Sequence, residues 1–406
     1  MPLNKKVQGI SNKQEFLSSR TITFMGLMIF LMSIGEGVVT PAIPLHGDAL
    51  GASYRQLGFF MTGYSIAYTL MAVTAGTISD MFGRKGILLL SIGLAIVAST
   101  GYYFAATPFS LLFFRTLEGA SRGILWPIAE AIVADNSNGE ARSRVMGRFT
   151  AAYGMGAVIG TFSSGYIMQA LSITAVFPLY PIIGVIVLGT SLYGITEKKK
   201  KDGTEHGLFG IQAGLDVGCE IKKIWTVCLS GFVYAGFLYS IWGMLPKIAD
   251  NVGALPQQIG FLFAIFWGTR LVSFLACGES AMMINRKYVL LVGIGFIILS
   301  TLIFFVASDY LHLLLAAAAG GIGTGIMFTI SITLIADLVD PSCVGFGMGF
   351  LEFSMGLGMI VQNTLSGIIG EWLGINYTYL FVFISALVAF FAASLFLQVG
   401  RRCNQQ

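Results

Sequence analysis

The sequence predicts an all-α membrane protein, with twelve transmembrane helices arranged as two pseudo-symmetric six-helix bundles. Three observations carry this prediction. First, of 406 residues 55% are hydrophobic and only 11% charged, where a soluble domain carries about 25% charged residues. Mean hydropathy is +0.80. No soluble core hides that much apolar surface, so lipid must be the solvent for most of it. Second, continuous apolar runs fall near 21–45, 56–79, 86–106, 109–134, 143–170, 175–195, 224–248, 258–279, 288–307, 310–336, 344–371 and 375–398. Each is close to the roughly 20 residues that a span requires. Continuity rather than alternation selects helices over a barrel. Third, the chain matches itself without a gap when Pro44 is set on Pro246. The same composition disfavours soluble enzymes, nucleic-acid binders and disulfide scaffolds. The five cysteines have no paired spacing and fit reduced thiols.

Residues 1–20 form a basic N-terminal segment. The run that follows is too long for a signal peptide and lacks a cleavage site, so it is expected to be retained as span 1. Residues 21–195 make the first bundle, 196–223 a linker, 224–398 the second bundle and 399–406 a tail. Lys and Arg set the orientation. With both termini in the cytoplasm, nineteen of the 24 basic residues fall on that side, among them Lys5, Lys6, Arg84, Lys85, Arg142, Arg144, Arg148, Lys198 to Lys201, Arg286 and Lys287. Only Arg55 and Lys247 fall outside, and Arg115, Arg122 and Arg270 lie within spans. Within the linker, Leu208, Phe209, Ile211 and Leu215 suit either a short interfacial helix or a frayed lead-in to span 7.

The self-match sets Gly58 on Gly260, Arg84-Lys85 on Arg286-Lys287, Ala134-Asp135 on Ala336-Asp337 and Gly165 on Gly367. Ten glycines coincide, where chance gives roughly 3. A duplicated six-helix unit follows, and small residues let its helices approach closely without a hydrophobic drive.

Between spans 2 and 3 stands Gly76-Thr77-Ile78-Ser79-Asp80-Met81-Phe82-Gly83-Arg84-Lys85. It resembles the G-x-x-x-D-x-x-G-R-K loop motif of major facilitator transporters. The second copy keeps Gly278, Arg286 and Lys287 but has Met282 for the acid and Asn285 for the glycine. In span 1, Gly35, Pro41 and Pro44 resemble the G-x5-P-x-x-P pattern of the twelve-helix drug:proton antiporters. Span 4 opens Arg115-Thr116-Leu117-Glu118-Gly119, similar to their R-x-x-Q-G with Glu for Gln. Span 5 reads Gly156 to Gly165 where that family has G-x-x-x-G-P-x-x-G-G, with Thr161 for Pro and Ser164 for Gly. The resemblance spans the chain and implies the major facilitator fold, with substrate bound between the halves. It implies that Gly76, Asp80, Gly83, Arg84 and Lys85 form a gate. Asp80 then faces the start of span 11, after Asp340-Pro341-Ser342, and pairs with Arg84. Arg84 is also within reach of Asp135 at the end of span 4.

An ionisable group within a span costs about 2.5–3.5 kcal/mol on insertion scales, so each is a functional candidate. Arg115, Glu118 and Arg122 share one face of span 4, continued by Trp126 and Glu130. Their alternating signs suit a self-paired structural ladder, or a cavity-lining stripe that exchanges partners. Glu36 lies roughly 22 Å from the inner end of span 1, near the expected depth of Arg115. A Glu36–Arg115 pair is therefore expected. Burial opposes ionisation of such a carboxylate and a guanidinium supports it, so a contact made in one state only couples a proton to access. Glu36, Glu118 and Arg115 are the proton-coupling candidates. Arg122, Trp126, Glu130, Arg270 and Glu352 are the substrate-cavity candidates, and an Arg270–Glu352 pair stays open. Gln362 and Asn363 fit interhelical hydrogen bonding better than substrate.

No phosphate-binding loop, metal spacing or nucleophile–base pair is visible, so neither an enzyme, a cofactor nor a metal site is expected. The expected function is proton-coupled export of small organic, amphiphilic compounds by alternating access. The expected partners are the proton, the substrate and membrane lipids, with no nucleic acid, and the chain is expected to act as a monomer in a prokaryotic plasma membrane. A lipid or lysolipid translocator and a metabolite or siderophore exporter share the same expected fold. A receptor that binds without turnover is the alternative of another class.

Overall fold

The computed structural model describes residues 2–137, 139–195, 217–280, 285–340 and 343–397. Among them are twelve long helices and no strand. Span 1 is Pro2–Val39, continued by a short helix Ala42–Ala49. Spans 2 to 5 are Tyr54–Phe82, Arg84–Phe104, Pro108–Asp135 and Gly139–Ala170. Span 6 is Leu179–Gly194, and spans 7 and 8 are Val217–Asn251 and Pro256–Ser280. Spans 9 to 12 are Arg286–Phe305, Tyr310–Leu338, Val344–Leu373 and Leu380–Phe396.

The apolar runs located every one of these helices, and the differences are at their ends. The basic N-terminal segment continues span 1 as helix instead of standing apart. Span 1 breaks at Thr40-Pro41, where the prolines have no N–H to continue the ladder. Span 7 begins inside the expected linker. The remainder of that linker, with its expected interfacial helix, lies outside the described residues, as do Pro341, Ser342 and the tail.

Local chemistry starts several spans. Ser53 and Gln56 form a reciprocal capping box before span 2. Thr107 and Ser110 do the same before span 4, with Pro108 at the first helical position. Asp309 caps span 10, and the backbone N–H of His312 holds its carboxyl below the usual range. Ten of the twelve helices are long and apolar enough to cross a membrane. The two that fall short are span 4, which carries the charges, and span 5, rich in Gly, Ala, Ser and Thr. Span 4 packs on spans 2 and 3, and span 5 on spans 1 and 8.

Packing repeats the sequence duplication. In the first half span 2 lies on span 4, span 1 on span 5 and span 3 on span 4. In the second half span 8 lies on span 10, span 7 on span 11 and span 9 on span 10. The halves meet along two equivalent seams, span 2 against span 11 and span 5 against span 8. The coincident glycines make both. A Cβ on Gly58 would stand 2.8 Å from the Cα of Gly367, and one on Gly260 2.7 Å from the Cα of Gly165. Both crossings therefore need bare backbone on each side.

The seams are closed on the face opposite the chain ends, the far face. Lys247 Nζ bridges Asp48 at 2.8 Å and Asp250 at 3.0 Å. Asn251 Nδ2 donates to Tyr54 Oη at 3.1 Å, the Arg55 N–H to Glu371 at 3.3 Å, and Thr62 meets Thr364 at 2.9 Å. These four cross-half polar links among the described residues all lie on the far side. Toward the terminal face Glu352 of span 11 is exposed.

Gly367→Val should prevent far-face closure. A Cβ alone would already stand 3.0 Å from the Tyr54 carbonyl, and overpacking costs about 1–3 kcal/mol. That shifts a two-state population by about 5- to 150-fold. With the native cysteines replaced, a Thr364→Cys reporter should react with a soluble maleimide correspondingly faster in this background. An unchanged rate would mean that the glycine seam does not control closure.

Candidate functional site

Span 4 brings its charges to the centre of the first half. Arg115 and Glu118 stand one turn apart, and both are sealed, at 1% and 0% side-chain exposure. Arg115 and Tyr102 both donate to Glu118 Oε2. The Arg115 guanidinium lies 4.6 Å from the Tyr64 ring centroid and 3.4 Å from Met61 Sδ. The ladder reading thus holds for these two residues.

The expected Glu36–Arg115 pair is not formed. Glu36 Oε2 meets Arg122 NH2 at 2.6 Å, and Tyr153 Oη donates to the same oxygen at 3.5 Å. Two physical reasons account for this. Arg115 already has its neutralising partner one turn along its own helix. The seating of span 1 is set by close packing: a Cβ on Gly37 would stand 3.0 Å from the Thr161 backbone N, and one on Gly35 would strike the Tyr180 ring. So placed, Glu36 faces the lower arginine. Both members are buried, and Glu36 Oε1 and Arg122 NH1 have no partner.

The halves meet at this level through aromatic rings that carry polar atoms. Tyr64 and Tyr68 of span 2 reach Tyr239 of span 7 at 5.8 and 6.5 Å. Tyr153 of span 5 reaches Trp267 of span 8 at 5.4 Å and Trp126 of span 4 at 5.0 Å. Trp242 lies 4.8 Å from Tyr239 and 6.1 Å from Trp267. Only Trp126 of this set was singled out from sequence. The available signal was that these Tyr and Trp sit mid-span, away from the interfacial belts where such rings normally collect.

Arg270 and Glu352 do not pair. Arg270 NH2 donates to Tyr234 Oη at 2.6 Å, and its guanidinium is ringed by Trp267, Phe274 and Tyr234 at 4.9, 5.1 and 5.4 Å. Glu352 instead lies within electrostatic reach of Glu130, one carboxylate from each half, with Tyr68 near both. Gln362 donates to the Phe232 carbonyl at 3.2 Å and to Ser385 at 3.4 Å, the interhelical role expected.

At the terminal face, Gly83 adopts φ +90°, a left-handed turn that favours glycine. It reverses the chain between spans 2 and 3. Arg84 pairs with Asp135 and donates to the Ala131 carbonyl at 3.1 Å, and Lys85 caps span 6 at the Leu192 carbonyl, 2.7 Å away. The Asp80 side chain lies outside the described residues. Span 11 begins at Val344 after Cys343, whose N–H donates to the Asp340 carbonyl at 2.7 Å. The second copy is less degenerate than its sequence. Arg286 pairs with Asp337, Lys287 reaches the Ser394 carbonyl at 2.8 Å, and Asn285 caps span 9 from extended backbone where the first copy has glycine.

A family model described as the Major Facilitator Superfamily matches residues 25–224 and again 227–404. An uncharacterized MFS-type transporter of Methanocaldococcus jannaschii is 22% identical over 378 residues, 91% of this chain and 96% of that protein. The multidrug transporter protein MdtP of Bacillus subtilis is 28% identical over 239 residues, and the quinolone resistance protein NorA of Staphylococcus aureus 27% over 240. Those matches span 57% of this chain and only 43% and 59% of the two proteins. Among solved structures, the nucleoside transporter NupG, as a mutant, superposes with a TM-score of 0.78 at 13% identity, covering 93% of this chain and all of that one. A bacterial homologue of the human lysosomal transporter Spinster, inward-facing and unoccupied, gives 0.74 at 14% identity over 94% of this chain and 98% of that one.

The sealed Arg115–Glu118 pair should behave as structure. Glu118→Gln leaves a buried guanidinium without its counter-charge, a loss of about 3–5 kcal/mol. Arg115→Leu with Glu118→Leu should recover most of it. Thermal unfolding in detergent checks both. A single variant as stable as wild type would reopen Glu118 as a group that changes charge.

Proposed function

The chain belongs to the Major Facilitator Superfamily, and we propose that it is a proton-coupled exporter of small organic, amphiphilic compounds that works by alternating access. The observation that carries this reading is the Glu36–Arg122 pair. It joins span 1 to span 4 deep in the first half, next to Tyr153, whose ring reaches across the seam to Trp267. Tyr153 rides on span 5, one of the helices of the moving seam. A shift there changes the surroundings of Glu36 between the two access states. Arg122 against the carboxylate favours its ionised form, and loosening that contact in a dry site favours the protonated one. Proton affinity then alternates with access, the minimum requirement for coupling. The membrane potential supplies about 2.3 kcal/mol per charge per 100 mV.

The bias of basic residues supports a cytoplasmic terminal face. The far-face links and the exposed Glu352 then suit an inward-facing state. The Arg84–Asp135 and Arg286–Asp337 pairs act as the inner gate posts, with Asp80 closing against the start of span 11 in the opposite state. The aromatic cluster shared by both halves suits flat or amphiphilic cargo, and the chain is proposed to act as a monomer. The names of MdtP and NorA agree with this cargo class. A prokaryotic inner membrane is the proposed location.

Proteoliposomes holding an interior pH dye test the reading. Under an imposed pH gradient, addition of an amphiphilic substrate should move protons in wild type and not in Glu36→Gln, while the variant still binds cargo. Substrate-triggered proton movement of wild-type size in Glu36→Gln would rule out Glu36 as the carrier. Its absence from wild type across cationic, zwitterionic and anionic compounds would rule out the antiport.

A further inference from the structure

Three arginines are buried in the spans, and two have their anion inside the protein. Arg115 has Glu118 and Arg122 has Glu36. Arg270 has none: among the described residues no carboxylate lies within ion-pair distance of it. It is 5% exposed, and its Nε and NH1 have no hydrogen-bond partner. A third unpartnered donor stands close by, the indole Nε1 of Trp242, whose ring is 6.1 Å from Trp267 of the Arg270 cage.

The cage does not use up the guanidinium. Trp267, Phe274 and Tyr234 present ring faces to its charge. The N–H groups point outward in the guanidinium plane, and Tyr234 Oη takes only NH2. A fork of in-plane donors fits a carboxylate or an equivalent anion through two bonds, something a lysine cannot reproduce. Glu352 is felt electrostatically by Tyr234, but it is exposed and makes no ion pair with Arg270 among the described residues. A guanidinium is costly to place in a span. Here it is held between aromatic walls on the helix that lines the seam, with Nε and NH1 unpartnered.

We propose that Arg270, assisted by Trp242, is an anion subsite in the aromatic cluster where the two halves meet, and that the cargo is an aromatic organic anion or carries such a group. This rests on the transporter reading above and adds the charge of the cargo. The aromatic rings around the cage hold the flat part of the molecule and the guanidinium fixes its acidic end. The pseudo-symmetric position in the first half is Tyr68, so the two halves present different groups to the same cavity and the cargo is oriented.

Calorimetric titration of the full chain in lipid nanodiscs tests this without relying on flux. The probes are naphthoate, naphthylmethylammonium and naphthalenemethanol, which share a ring and differ in charge. Naphthoate should bind about tenfold more tightly than the alcohol, or about 1.4 kcal/mol. Arg270→Gln should remove that advantage while leaving alcohol binding intact, which also shows that the variant is folded. Arg270→Lys should keep only part of it. Naphthoate binding no tighter than the alcohol, or undiminished in Arg270→Gln, overturns the subsite, and so does a preference for the ammonium. The two readings fail separately. Selective naphthoate binding without substrate-triggered proton movement sinks the antiport and keeps the subsite, whereas proton movement with charge-blind binding does the reverse.

Discussion

Lipid offers no partner to a buried polar group, and the interior of this protein is arranged around that constraint. Each charge in the spans must find its counterpart within the chain, within a water-admitting seam, or in a ligand. Arg115 and Glu118 take the first course, with Tyr102 added, and are sealed. Glu36 and Arg122 take it across two helices, which makes their contact sensitive to how those helices sit. Glu130 and Glu352 lie within electrostatic reach of each other on the terminal side, Glu352 exposed. Arg270 is left with one tyrosine hydroxyl and aromatic faces. The order runs from fixed structure to exchangeable site.

Motion between the halves depends on how little side chain stands at their contacts. Gly58 against Gly367 and Gly165 against Gly260 bring backbones together with almost nothing interdigitated. Such a contact closes tightly and separates without unlocking a packed core. The far-face polar links, led by Lys247 to Asp48, add specificity at modest energy, since partly exposed ion pairs are worth about 0–1 kcal/mol each. A closed state held by a close but smooth seam and a few such links is one that a bound ligand or proton can shift.

Duplication built the scaffold and divergence built the site. Both halves keep the same arginine–aspartate post and the same lysine cap on the last helix of each bundle. These contacts hold helices together and serve either half equally. In the cavity the halves differ. The first carries the paired charges on spans 1 and 4. The second carries a caged guanidinium, with Trp242 and Trp267 beside it. Symmetry at the terminal face and asymmetry at the centre suit the oriented cargo and separate coupling group proposed above.

The sequence by itself determined the helices, their order, the duplication and the loop motif, because each depends on local hydropathy or on spacing along one helix. Arg115–Glu118 was legible for the same reason, being one turn apart, and so was Arg84 with Asp135 at the ends of neighbouring spans. The repeat glycines were legible as a pattern, though not as two mirrored seams. Only the tertiary structure decided that Glu36 meets Arg122 and not Arg115, that Arg270 has no carboxylate within ion-pair distance among the described residues, and that Tyr and Trp from both halves meet in one aromatic cluster. Depth estimated at a fixed rise per residue assumes straight helices with equal footing. Span 1 breaks at Pro41, and its seating is fixed by Gly35 and Gly37 against two other helices. Partners across helices follow from such rotations and offsets, which no residue in a single span records.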